Sequence, residues 1–240
     1  MSSNITAAVL IIGNEILTGR TQDANVQYLG QQLFGMGIKL QEVRVVRDDE
    51  AQVVEALNAL RKAHTYIFTT GGIGPTHDDI TAACVAKAFG RQIDRNAEAV
   101  KALQSHYTPE DLNEARLSMA DMPVDVDALI ENPISKAAGF RIENVYVLAG
   151  VPKIMQAMFE GIKSTLQGGA KLHSQTVTTT KHTEGTIADQ LRILQNTNPD
   201  VEIGSYPYFK QGDFGVSLVV RGEDKAKVAA VATKLEGVVG

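Results

Sequence analysis

The stretch AAVLII at residues 7–12 is apolar at every position and stops at Gly13. A strand buried on both faces of a parallel sheet reads this way. Val26, Leu29, Leu33 and Met36 then follow at helical spacing, with Asp23 placed to cap the helix and Gly35 and Gly37 to stop it. Lys39–Val46 alternates as a strand does. Asp48 or Asp49 opens a helix carrying Val53, Val54, Leu57 and Leu60, and residues 65–70 form the next strand. The small and apolar residues 78–89 predict a third helix, ended by Gly90. This β-α-β-α-β-α order predicts an α/β fold, a three-layer sandwich around a mainly parallel sheet.

Residues 94–120 read as two further helices, the second opening at TPED with Thr108 as cap and Pro109 at the first helical position. Short strands are expected near 128–130, 138–142 and 145–148, then a helix from Pro152 to about Leu166. QGGAK, residues 167–171, is the best linker. Beyond it the order is strand (172–180), helix (186–195), two strands (201–204 and 214–220) and helix (224–235). That β-α-β-β-α pattern predicts a small α+β unit. The expected domains are residues 1–167 and 171–240. The alternating strand near 214–220 leaves one face in need of a cover, from the larger domain or from a second copy of the chain.

Composition narrows the classes. The 240 residues are 44% hydrophobic and carry a formal charge of −5, enough apolar content for a full core. No Lys/Arg-rich run occurs, which argues against nucleic acid as a partner. Cys84 is the single cysteine, so a disulfide framework within the chain and a CxxC metal site are both excluded. The N-terminus lacks a signal-peptide pattern, and no apolar stretch approaches membrane-spanning length. A cytoplasmic protein without a membrane partner is expected.

The chemistry concentrates in TTGGIGPTHDDIT, residues 69–81. Ligands of parallel α/β sheets bind beyond the carboxyl ends of the strands. GNEILTG after the first strand, the glycine loop after the third, and AGVP at residues 149–152 all stand at such ends. Gly71, Gly72 and Gly74 allow close approach to the main chain, and their amides with a following helix N-terminus suit a phosphate. Asp78 and Asp79 have the wrong sign for phosphate but suit a divalent cation held against it. A plainer account also fits: Asp78 caps the helix, Asp79 favours its dipole and the glycines turn the chain. P-loop, Rossmann, nucleophile-elbow and HExxH patterns are all absent. Cys84 reads as core, and His77 as an exposed loop residue beside the site.

GNEILTG…DANVQYL, VVRDD, TTGGIGPTHDDIT and VLAGVP together resemble the molybdopterin-binding fold shared by MoaB/Mog proteins and the N-terminal domain of CinA. Within that group the chain is most similar to the N-terminal molybdopterin-binding-like domain of FAD synthases, with GSYP at residues 204–207 part of the likeness. The resemblance implies that Asp48 and Asp79 face the glycine loop and hold a metal, with Glu15 as a third catalytic residue. The candidate ligand-binding set around the motifs is Gly13, Asn25, Thr70, Gly71, Gly72, Gly74, Asp78, Thr81 and Gly150, with Ser135 added for its hydroxyl. In NPISKAAGF the chain departs from the pattern at Ser135 and Ala138, where Ser135 and Lys136 offer a hydroxyl and an ammonium to phosphate.

The expected activity is metal-dependent hydrolysis of a nucleotide pyrophosphate of the ADP-ribose or FAD type, using Mg, Mn or Co. The alternative is a protein that binds molybdopterin or adenylylates it. A third reading is a non-catalytic nucleotide-binding module. In each case the partner is a small nucleotide or pterin. Family precedent also implies self-association, with a homodimer favoured over a trimer.

Overall fold

The computed structural model describes residues 5–210 and 213–240. It divides into two compact units, a larger one that runs to Phe34 and resumes over Ile38–Gly169, and a smaller one of Ala170–Gly240 together with Gly35–Gly37.

The larger unit begins with β1 (Thr6–Ile12), buried at every position. After it come α1 (Asn14–Leu17), α2 (Asn25–Gly35), β2 (Lys39–Val46), α3 (Glu50–Ala63), β3 (Tyr66–Thr70) and α4 (Thr81–Phe89). The chain continues through β4 (Ile93–Arg95), α5 (Ala97–Gln104), α6 (Glu114–Leu117) and β5 (Asp121–Pro123). It closes with β6 (Ala128–Ile130), β7 (Gly139–Ile142), β8 (Val145–Leu148) and α7 (Pro152–Ile162). The main sheet runs β2-β1-β3-β8-β7-β6. Its first four strands are parallel, and β7 and β6 are added antiparallel at one edge. β4 and β5 pair separately.

Alternate residues of the central strands feed two helix layers. Leu10, Ile12, Ile67 and Val147 pack with Val53, Leu57 and Leu60 of α3, Cys84 and Val85 of α4, and Leu103 of α5. On the opposite face Phe68 meets Phe159 of α7 at 5.6 Å between ring centroids, and Phe159 meets Tyr28 of α2 at 6.1 Å. Each fully buried Leu or Phe here stabilises the fold by about 1.5–3 kcal/mol. The continuous apolar run of β1 is thus explained: both of its faces are covered. β2 is an edge strand and alternates exposed and half-buried residues along its first half.

Two expectations are corrected. The helix at TPED does not form beyond a single turn. Asn113 adopts an extended backbone and its side chain accepts from Arg116 N–H at 3.0 Å, so the chain restarts there as the four-residue α6. The helix expected from residue 78 starts instead at Thr81, because Asp79 is drawn back onto the loop before it.

The smaller unit contains β9 (His173–Thr179), α8 (Glu184–Thr197), β10 (Val201–Lys210), β11 (Asp213–Gly222) and α9 (Lys225–Val239). Its antiparallel sheet runs β10-β11-β9. Val216, Leu218 and Val220 of β11 pack under Ile187 of α8 and Val228, Val231 and Leu235 of α9. The face that wanted a cover therefore receives it from the unit's own helices, which removes that argument for a second copy. Both hairpin strands are longer than their sequence signal, since Pro207 is tolerated in the edge strand β10. Among the described residues no helix is long and apolar enough to cross a membrane.

Cys84 is fully buried in α4. Burial raises its thiol from 9.0 to about 11, which lowers the thiolate fraction roughly a hundredfold. Native protein at pH 8 should therefore react with a disulfide reagent about a hundredfold more slowly than unfolded chain, and labelling at equal rates would contradict this packing.

Candidate functional site

β2 and β3 lie on opposite sides of β1. The strand order therefore reverses at β1, which opens a crevice beyond the carboxyl ends of β1 and β3. Gly13 prolongs β1 and donates its N–H to Val46 O at 3.2 Å. Gly71 follows β3, donates to Leu148 O at 3.3 Å, and has φ of 100°. A Cβ on Gly71 would collide with the carbonyl oxygen of Ile12, and one on Gly150 would stand 3.1 Å from the Gly71 Cα. Absence of side chains thus lets the main chains at the ends of β1, β3 and β8 touch.

Two polar residues brace this contact. Thr81, fully buried, donates its hydroxyl to Gly71 O at 2.8 Å and its N–H to Gly72 O at 3.0 Å. Asn25, 3% exposed, donates Nδ2–H to Gly150 O at 2.8 Å, while its Oδ1 is buried without a partner. Asp79 shapes the loop itself. Its Oδ1 accepts from Gly74 N–H at 2.6 Å, and its Oδ2 accepts from the Thr76 N–H at 2.8 Å and hydroxyl at 2.5 Å.

With Asp79 turned back, α4 starts without a side-chain cap. The first-turn amides of Ala82 and Ala83 receive no acceptor from the helix. These two residues line a cavity of about 190 Å³ together with Gly72, Ile73, Gly74, Thr76 and Asp79 of the loop. Ile93, Ser118, Met119, Asp121, Met122, Ala138 and Phe140 complete its wall. First-turn residues of α4 form one side of the cavity, and residues with thioether, alkyl and aromatic side chains form much of the other. Asp79 and Asp121 bring two carboxylates to the same wall.

The other sequence candidates are placed as follows. Asp48 accepts the Asn14 N–H on Oδ2 at 2.9 Å, so it caps α1 from the neighbouring strand. The helix cap of α3 is Asp49, whose carboxylate accepts from Gln52 N–H at 3.0 Å. Glu15 is exposed and folds over Gly13, where an added Cβ would lie 2.6 Å from both carboxylate oxygens. Asp78 and His77 are exposed on the loop. The Thr70 hydroxyl is buried without a partner, on the face that carries Phe68. Ser135 accepts from Asn132 Nδ2 at 2.6 Å, and Lys136 pairs with Glu131 at 3.0 Å, so both are engaged within their own loop and neither lines the cavity.

The donor set does not fit a preformed divalent-metal site. Both oxygens of Asp79 already accept from loop donors, and among the described residues no group of three or more His, Cys, Asp or Glu side chains stands ready to hold an ion. The sequence reading also missed Met119, Met122, Ile93 and Phe140. They come from separate segments, and nothing in their local pattern marks them as neighbours.

Comparison with known proteins gives this geometry a family. A family model described as "Probable molybdopterin binding domain" matches residues 8–168, which is more than half of the chain. The chain belongs to this molybdopterin-binding domain family. A second model, "FAD synthase, middle domain", matches residues 171–239. A protein of Archaeoglobus fulgidus is 33% identical over 95% of each chain. A "Probable FAD synthase" of Caenorhabditis elegans is 32% identical over 98% of this chain, which spans 50% of that relative's length. The crystal structure of CinA from Thermoplasma acidophilum superposes with a TM-score of 0.64 at 33% identity, covering 68% of this chain and 99% of the other. The CinA-like resemblance is therefore supported by fold, and the FAD-synthase-like one by sequence.

For this member of the molybdopterin-binding domain family, Asp79→Asn should cost about 1–3 kcal/mol of stability. One carboxylate oxygen becomes an NH₂ that faces the donors of the loop. Chemical denaturation checks this, and an unchanged midpoint would show that the Asp79 contacts contribute nothing.

Proposed function

We propose that the larger unit binds a small phosphorylated pterin or nucleotide, with the phosphate resting on the main-chain amides of the first turn of α4. The observation that carries this reading is the uncapped α4 N-terminus opening into a cavity beside the β1/β3 crevice. Backbone donors and the helix dipole at the start of α4 attract an anion; of the two carboxylates in the same wall, Asp121 is paired with Arg95 and Asp79 is held by donors of its own loop. The family description and the FAD synthase name of a relative are consistent with such ligands. Binding is favoured over metal-dependent pyrophosphate hydrolysis, because Asp79 shapes the loop and among the described residues no group of three or more His, Cys, Asp or Glu side chains stands ready to hold an ion. The phosphorylated ligand should accordingly bind in buffer containing EDTA, and a strict requirement for Mg²⁺, Mn²⁺ or Co²⁺ would favour the hydrolytic reading.

Ala83 supplies a sharper test, being exposed, within the first turn of α4, and part of the cavity wall. Ala83→Glu places a carboxylate at the positive end of the helix, which should stabilise the fold by about 0.3–1 kcal/mol. The same carboxylate competes with the ligand's phosphate, so AMP or FMN should bind at least about tenfold more weakly. Calorimetry together with thermal unfolding separates the two effects. Undiminished affinity in a stabilised variant would place the anion elsewhere.

A further inference from the structure

We propose that the wall formed by Met119 and Met122 is the ring-binding half of the cavity, taking the planar heteroaromatic ring of a ligand whose phosphate rests on the α4 amides. This rests on the phosphate reading above and adds which side chains choose the ligand.

The polar groups of the cavity wall are already engaged. Asp121 accepts from Arg95 Nε–H at 2.8 Å, and the Ser118 hydroxyl donates to Ala115 O at 2.9 Å. The Thr76 hydroxyl and the Asp79 carboxylate are bonded to each other. Beyond these groups the wall presents Ile73, Ile93, Met119, Met122 and Phe140. The part of a ligand that enters this half must be apolar, since a charge there would meet no free partner.

Size narrows the class further. About 190 Å³ is the liquid volume of roughly six waters at ~30 Å³ each. That falls short of the ~300–1,000 Å³ that encloses a whole drug-sized ligand. One ring system fits, and the remainder of the ligand leaves through the mouth. Ile93 lines the cavity yet is 41% exposed, so it stands where the cavity meets solvent. Met122 is 1% exposed and gives a fixed surface, whereas Met119 is half-buried and free to adjust. Thioethers pack favourably on aromatic rings and adapt to their outline. β4 pairs with β5, setting Asp94 opposite Met122 and Ile93 opposite Pro123, so this wall is held together as one piece.

The test uses two ring-bearing phosphates, AMP and FMN, and two ring-free ones, ribose 5-phosphate and hexyl phosphate. Each is titrated into the full chain and into Met119→Ala and Met119→Leu. At least one ring-bearing probe should bind on the order of tenfold more tightly than either ring-free probe. Met119→Ala should remove most of that margin, Met119→Leu should restore much of it, and ribose 5-phosphate should bind all three proteins alike. Equal binding of ribose 5-phosphate and the ring probes overturns the ring assignment and leaves the phosphate site standing. A match between hexyl phosphate and the ring probes overturns it as well, since the slot is then merely apolar. A ring preference that survives Met119→Ala places the ring on another wall. If no probe binds, the phosphate reading itself falls and this inference with it.

Discussion

Contact between main chains at Gly71 is the constraint on which the larger unit's functional edge depends. β1, β3 and β8 end side by side, and Gly71 lies against the Ile12 carbonyl on one side and Gly150 on the other. Any side chain at Gly71 would drive the strand ends apart. With them would go the starting point of α4, which Thr81 ties to Gly71 and Gly72. Cavity and crevice are therefore consequences of backbone packing, made possible by residues that contribute no side chain.

The polar side chains around this edge work mostly on the protein itself. Asp79 organises the loop, Asp48 caps α1, Asn25 holds Gly150 and Thr81 holds Gly71. What they leave free is a set of main-chain amides at a helix start. A site of this kind recognises an anion through fixed dipoles, already oriented before the ligand arrives and unaffected by titration of a side chain. The aspartates that look in sequence like metal ligands are engaged by nearby main-chain donors, Asp79 by Gly74 and Thr76 and Asp48 by Asn14.

The smaller unit obeys a simpler rule. Three antiparallel strands bury one face, and two helices of the same unit cover it. Its described core residues run from Val177 to Val239, consistent with a separate family model matching residues 171–239.

Much of the fold was legible because it follows from local pattern. The run at residues 7–12 could only be a doubly covered strand, and helical spacing in α2 and α3 marked their buried faces through Leu29, Leu33, Val53 and Leu57. The glycine loop was legible too, since three glycines between a strand and a helix leave few physical purposes. Where local preference was weak, tertiary structure decided. TPED yielded to the cap at Asn113, and α4 started late because Asp79 found its donors in the loop rather than at the helix. The cavity was wholly a tertiary matter. Sequence determines which residues a segment offers, through preferences that act over a few positions. Whether an aspartate ligates or braces, and whether Met119 and Ala83 line one cavity, depends on segments brought together by the closed core, and no local pattern records that meeting.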